Sequence, residues 1–268
     1  MINIAETVLY RDGLILVLNK PSGINVHKGP GGGESLEDYF DDLRFGMPRS
    51  PALAHRLDKE TSGCLVLGRH RKPLQKLGKM FQRGEIHKTY LAIVNGEPMS
   101  ESGIIDVPIA KIGHGANWRI VTDPEGVHKG QQAVTKYQFI RQANGKSLLQ
   151  LHPLTGRTHQ LRVHLASIGC PIVGDTRYGA DNSNRLLSKL AYVNEMREAS
   201  IAETQVYSNV HADSRSTATS KFGTEVEFPK KSNTPLHLHA YSVEIPLYKN
   251  REPVSVTAPP PEWFNGWI

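Results

Sequence analysis

The chain has 268 residues, 38% hydrophobic and 22% charged, a balance that excludes global disorder and suits one large domain or two small ones. Its 32 Lys and Arg against 26 Asp and Glu leave a net charge of +6, which favours an anionic partner. Two cysteines rule out a disulfide framework, the longest aliphatic run (residues 14–18) is far too short to span a bilayer, and the N-terminus lacks a signal-peptide pattern, so a soluble protein of a reducing cytoplasm is expected.

In chain order, residues 8–10, the turn Arg11-Asp12-Gly13 and residues 14–18 read as strand, turn and strand. Residues 29–33 read as a glycine-rich loop. Ser35 reads as an N-cap, with Leu36, Tyr39, Phe40 and Leu43 on one helical face. A loop over 45–51 precedes a short apolar strand at 65–67. Leu74, Leu77 and Phe81 have helical spacing, with Gly84 as the stop. Residues 89–94, 134–140 and 148–151 read as strands, the last two joined at Asn144-Gly145. Thr158 reads as the cap of a helix carrying Leu161, Leu165 and Ile168, with Gly169 at its C-terminal end. Residues 236–245 and 254–257 alternate like strands. Short strands with few helices and no repeating strand–helix unit predict an α+β fold with a largely antiparallel sheet. The stretch 181–234 is polar and rich in Ser and Thr, holds as many acids as bases, and reads as a surface insertion in a single domain spanning 1–268.

Three clusters have the residue types for chemistry. His55-Arg56-Leu57-Asp58-Lys59-Glu60-Thr61-Ser62-Gly63 sets one Asp among basic groups, which favour its carboxylate form; Asp58 then suits a base or nucleophile, or equally an Asx turn with exposed ion pairs. In the segment from His152 to His164, Thr158 capping would offer free N–H groups to an anion near Arg157 and His159, while His159 and Arg162 share a helix face; a merely solvated face fits as well. Tyr90 in Lys88-Thr89-Tyr90 is either core filler or a flat surface for a base. His237 and His239 lie on one side of a strand without a third ligand at recognisable spacing, so no metal is expected. No dinucleotide fingerprint, complete phosphate loop or nucleophile elbow is present.

Taken together, these segments resemble the RluA-type pseudouridine synthases. The His55-to-Gly63 segment resembles that family's catalytic motif, Asn19-Lys20-Pro21-Ser22-Gly23 its opening motif, and Lys88-Thr89-Tyr90-Leu91-Ala92 the segment bearing its active-site tyrosine. Gly156-Arg157-Thr158-His159-Gln160-Leu161-Arg162-Val163-His164, then Pro171-Ile172-Val173-Gly174-Asp175 and Tyr178-Gly179, then Leu238-His239-Ala240-Tyr241-Ser242, follow in the family's order. The departures are 181–234 and the lack of an N-terminal S4-type domain. The resemblance implies a mixed, mostly antiparallel bent sheet flanked by helices and loops. It implies isomerisation of particular uridines in RNA, with no cofactor and no metal. Asp58 would be the essential carboxylate, Arg162 its basic partner, and Tyr90 a stacking surface that assists loss of the C5 proton. Arg56 would enter the gap left by the flipped uridine, with His55, Arg157 and His159 also on the RNA. The expected partner is a tRNA or rRNA stem-loop, the expected state a monomer. A non-catalytic RNA-binding or assembly factor on the same fold is the alternative.

Overall fold

The computed structural model describes residues 3–29, 32–115, 118–179 and 234–268; the predicted insertion at 181–234 lies outside them, Thr234 excepted. Twelve strands appear among these residues: β1 (Val8–Arg11), β2 (Ile15–Lys20), β3 (Ala52–Leu53), β4 (Ser62–Gly68), β5 (His87–Asn95), β6 (Ser102–Asp106), β7 (Ile109–Ile112), β8 (Arg119–Thr122), β9 (Val134–Ala143), β10 (Lys146–Pro153), β11 (Leu238–Ile245) and β12 (Val254–Thr257). Two α-helices join them, α1 (Arg71–Arg83) and α2 (Gln160–Ser167), with short 3-10 turns.

Ten strands form one sheet along the order β1-β2-β4-β11-β5-β10-β9-β6, with β3 on β4 and β12 on β11, while β7 and β8 make a separate hairpin. Every pairing is antiparallel except β4 with β11. The C-terminal strand β11 therefore wedges between the N-terminal strands and the β5-β10-β9 half. The expected α+β architecture and mostly antiparallel sheet are found.

Local chemistry explains the elements. All seven residues of β4 are buried, which its continuous apolar run requires. In β9 half-buried and exposed residues alternate over residues 136–140, the pattern of a strand with one wet face. Asn144 and Gly145 both have positive φ, 51° and 70°, as a two-residue hairpin turn between β9 and β10 demands. Helix α1 buries Pro73, Leu77 and Met80 on one stripe and stops at left-handed Gly84, whose N–H reaches the carbonyls of Met80 and Phe81. Ser35 caps as expected, in a reciprocal box with Asp38, but the helix it opens, Leu36–Leu43, is 3-10 throughout.

Two points depart further from expectation. Strands β6, β7 and β8 were not expected from the sequence; each buries only one or two side chains. Helix α2 begins one residue late. His159, at φ 54°, is its N-cap, and Thr158 lies outside the helix.

The two largest of four apolar clusters among the described residues pack on the sheet. One gathers β2, β4 and α1 with the far end of β11; the other gathers β5, β10 and α2. Tyr90 packs against both. In register, Tyr90 stands opposite Ala240, and Ala240 opposite Gly63. Gly63 has φ +104°, and a Cβ there would lie 2.2 Å from the Ala240 carbonyl oxygen, so only glycine lets β4 approach β11. That close crossing sets the start of β4, and the loop carrying Asp58, beside Tyr90.

Candidate active site

The loop between β3 and β4 is held from below by Lys20, the last residue of β2. Its side chain is fully buried, and Nζ donates to the carbonyls of Pro21, Lys59 and Thr61, each at 2.9 Å. Three ammonium protons meet three carbonyls. Burial pulls the Lys20 pKa down to about 8, opposed by the Glu60 and Asp58 carboxylates, so the group is an ammonium at neutral pH. Gly23 N–H to the Lys59 carbonyl (2.9 Å) and the Ser22 hydroxyl to the Glu60 carbonyl (2.6 Å) complete the cradle. The Asn19-to-Gly23 motif thus holds the Asp58 loop, a role that sequence alone did not reveal.

Above this loop opens a cleft of about 660 Å³ between the ends of α1 and α2. Asp58 is the one carboxylate among the described residues lining it; Arg56, Lys88, Arg157 and Arg162 are its cations, and Tyr90 forms part of its wall. Of the expected site residues, the structure brings His55, Arg56, Asp58, Tyr90, Arg157, His159 and Arg162 together around this one space. Lys88, half-buried with its pKa lowered by desolvation, is a further cation that had been read only as part of a motif.

Arg162 does not pair with Asp58 as closely as expected. Its Nη1 stands 3.9 Å from Asp58 Oδ2, beyond hydrogen-bond reach. Its strong partner is Asp175, which takes Nε at 2.7 Å and Nη2 at 2.8 Å in a two-pronged pair. Asp175 is fixed in turn by the N–H groups of Arg177 and Tyr178, both at 3.0 Å. The reason is local: all eight residues of α2 are buried, so the guanidinium needs a dedicated counter-ion. Asp175 holds Arg162 in place, leaving one prong aimed at Asp58.

Asp58 itself departs from the expected direction. Burial pushes its pKa up, outweighing Arg162 and Arg56, while Glu60 and Asp175 push the same way as burial. The carboxylate is poised rather than strongly stabilised. Burial, then the neighbouring Asp58, also push the Tyr90 phenol up, so it stays protonated in the free protein. Its ring, rather than a phenolate, is what the cleft presents.

Burial leaves both histidines, His55 and His159, neutral in the free protein. His55 Nε2 accepts the Val66 N–H at 3.0 Å, and its ring packs on Phe81 with centroids 4.5 Å apart. Burial, and then the Lys88 charge, bring its pKa down to about 3. His159 is likewise lowered to about 3, by burial and then by Arg162 and Arg177. The Tyr178 hydroxyl accepts the Ile120 N–H (3.2 Å) and is hydrogen-bonded to His159 Nδ1 (2.7 Å). His159 Nε2 faces Asp58 Oδ2 at 3.9 Å.

Gln160 was also missed. Its Oε1 accepts the Thr155 hydroxyl (2.7 Å) and the Arg157 N–H (3.1 Å), while Nε2 donates to the Val134 carbonyl and Thr135 Oγ1, both at 3.0 Å. The first two bonds hold the loop before α2 to the helix, and the last two tie the helix to β9. That loop carries Arg157, which is exposed and anchored by Nε to the Gln132 carbonyl at 3.1 Å. Arg56 is exposed, with no hydrogen bond or ion pair among the described residues. His237 and His239 are separated in their duties: His239 meets the Ser62 hydroxyl and the Ala258 carbonyl, while His237 stacks on Trp263.

Comparison with known proteins bears on this constellation. Residues 14–167 match the family model described as RNA pseudouridylate synthase. An uncharacterised RNA pseudouridine synthase of Zymomonas mobilis is 39% identical over 205 residues, 76% of this chain and 92% of that one. Ribosomal large subunit pseudouridine synthase C of Buchnera aphidicola is 34% identical, over 70% of this chain and 59% of its own length. Among solved structures, human RNA pseudouridylate synthase domain containing 4 superposes with a TM-score of 0.68 at 26% identity, covering 98% of this chain and 91% of that one. These matches, on a chain whose cleft gathers one carboxylate, a tyrosine ring and a tethered arginine, lead to one conclusion: the chain belongs to the RNA pseudouridylate synthase family, in its RluA-type branch.

Proposed function

We propose that this protein isomerises particular uridines in tRNA or rRNA stem-loops and that Asp58 is the carboxylate on which turnover depends. The observation that carries this reading is the solitary position of Asp58 among cations in a cleft of about 660 Å³, large enough for a flipped nucleotide. The uracil leaves ribose by breaking N1–C1′, turns within the cleft and rejoins through C5; the proton lost from C5 is balanced by one gained at N1, so the product is an isomer. Nothing is oxidised or reduced, so the chain's own groups suffice.

In this reading Asp58 meets the target nucleotide as the carboxylate. Arg162, aimed by Asp175, keeps a positive charge facing it. The Tyr90 ring stacks on the base, and Arg56 enters the stack vacated by the uridine, offsetting an unpairing cost of a few kcal/mol. Arg157 and Lys88 take backbone phosphates. The name of the Buchnera relative supports ribosomal RNA as one substrate to try. The test is tritium release from RNA labelled at C5 of uridine, with tRNA and rRNA supplied separately. Release from either pool supports the reading and selects the substrate class; retention of label in both contradicts it.

A further inference from the structure

Beside the catalytic cleft, and sharing Arg56 and Arg157 with it, lies a second pocket of about 400 Å³. Its other walls are the β7–β8 hairpin and the loop that follows β8, contributing Lys111, Trp118 and Lys129. Four cations and no carboxylate line it among the described residues. A pocket so charged has an unfavourable self-energy unless an anion enters.

The pocket is built rather than incidental. The Trp118 ring gathers two cations, with Lys111 Nζ 5.0 Å and the Arg177 guanidinium 4.7 Å from its centre, both within cation–π range. Its centre is also 5.2 Å from that of His159, so the hairpin is tied directly to the catalytic cleft. On the opposite wall, Lys129 sits in the left-handed region at φ 54°, where glycine would be at ease and a lysine is strained. The loop is clamped in that shape by buried Asp123, whose carboxylate accepts the N–H groups of His128 (3.1 Å) and Gly130 (2.7 Å). A cation is therefore presented, at some cost in stability, where the backbone would favour glycine.

We propose that this pocket is a second RNA subsite, which takes the backbone phosphate of a nucleotide neighbouring the flipped uridine through Lys111, Lys129 and the shared arginines. It rests on the reading of the adjoining cleft as a uridine site. The β7–β8 hairpin then reads structure beside the target and contributes to the choice of substrate.

The test measures binding of bulk tRNA as a function of salt, for wild type, Lys129→Gly, Lys111→Gln with Lys129→Gly, and Lys249→Gln as an exposed control. Each lost phosphate contact lowers the slope of log affinity against log salt by roughly 0.7–0.9. We expect a loss of about one for Lys129→Gly, nearly two for the double variant with affinity roughly tenfold weaker, and no change for the control. Because glycine relieves the strain, Lys129→Gly should melt at or above the wild-type temperature, so lost binding is not lost folding. Unchanged slopes in both pocket variants overturn the subsite. Since binding is read without turnover, reduced slopes alongside an inactive wild type would uphold the subsite and count against the proposed function alone.

Discussion

Asp175→Asn tests how the cleft around Asp58 is organised. Asp175 is completely buried and makes two charged hydrogen bonds to Arg162, at 2.7 and 2.8 Å. An asparagine can accept from one of the two nitrogens and presents an N–H₂ group to the other, so one charge-assisted bond of about 1.5–3 kcal/mol is lost. The buried guanidinium also loses its counter-ion, and breaking such pairs costs about 3–5 kcal/mol in all. Asp58, 3.9 Å from Nη1, recovers part of this by drawing Arg162 towards itself. A loss of about 3 kcal/mol is expected, or about 6–12 °C in melting temperature for a domain of this size. Urea unfolding followed by tryptophan fluorescence measures the loss, and an unchanged denaturant slope shows that the unfolded state is not what altered. The same substitution removes a negative neighbour from Asp58 and brings a cation nearer, so the acid limb of its pH–rate profile should move to lower pH even as kcat falls. A stability loss below about 1 kcal/mol with an unmoved acid limb would refute the idea that Asp175 aims Arg162.

Other expectations follow from the same geometry. Lys20→Met leaves three carbonyls without donors and should cost about 3 kcal/mol or more, less what is regained by no longer burying an ammonium; it should depress kcat more than it raises KM, and steady-state kinetics with wild-type values would show the ammonium to be dispensable. Because the folded-state pKa of Asp58 is raised, its charged form opposes folding: stability contributed by the protonated form is present at low pH and lost as pH rises through the folded pKa. Asp58→Asn should therefore melt at or above wild type at neutral pH, and a clear drop would contradict the direction of that shift. The same shift places the acid limb of wild-type turnover above the ordinary range for an aspartate, which a pH–rate profile on saturating RNA reads directly.

The elements legible in the sequence were those with a local signature. Asn144-Gly145 named its hairpin, Gly84 and Gly169 ended their helices where expected, and the residues of β12 alternated from end to end. The hairpin β7–β8 was illegible because neither strand alternates: β7 buries two consecutive residues and β8 only one. Thr158 failed as a cap because left-handed His159 takes the N-cap position, which no residue preference marks; the Gln160 side chain instead holds the preceding loop through the Arg157 N–H. In the cleft, motif order supplied the residues that meet there, but not their partnerships. The pairing of Arg162 with Asp175 spans 13 positions, and burial of α2 on every side, which decides it, cannot be inferred from an apparently amphipathic stripe. Nor did charge counting around Asp58 anticipate its raised pKa, because desolvation depends on what the fold places overhead.

The central claim is that Asp58 performs a uridine isomerisation in this cleft. The most direct measurement is nucleoside analysis of RNA digested after incubation with wild-type protein and with Asp58→Asn, at concentrations where both bind. The account predicts pseudouridine appearing mole for mole as uridine disappears with the wild type, and none with Asp58→Asn. Pseudouridine formed by the variant at a rate near that of the wild type would contradict it.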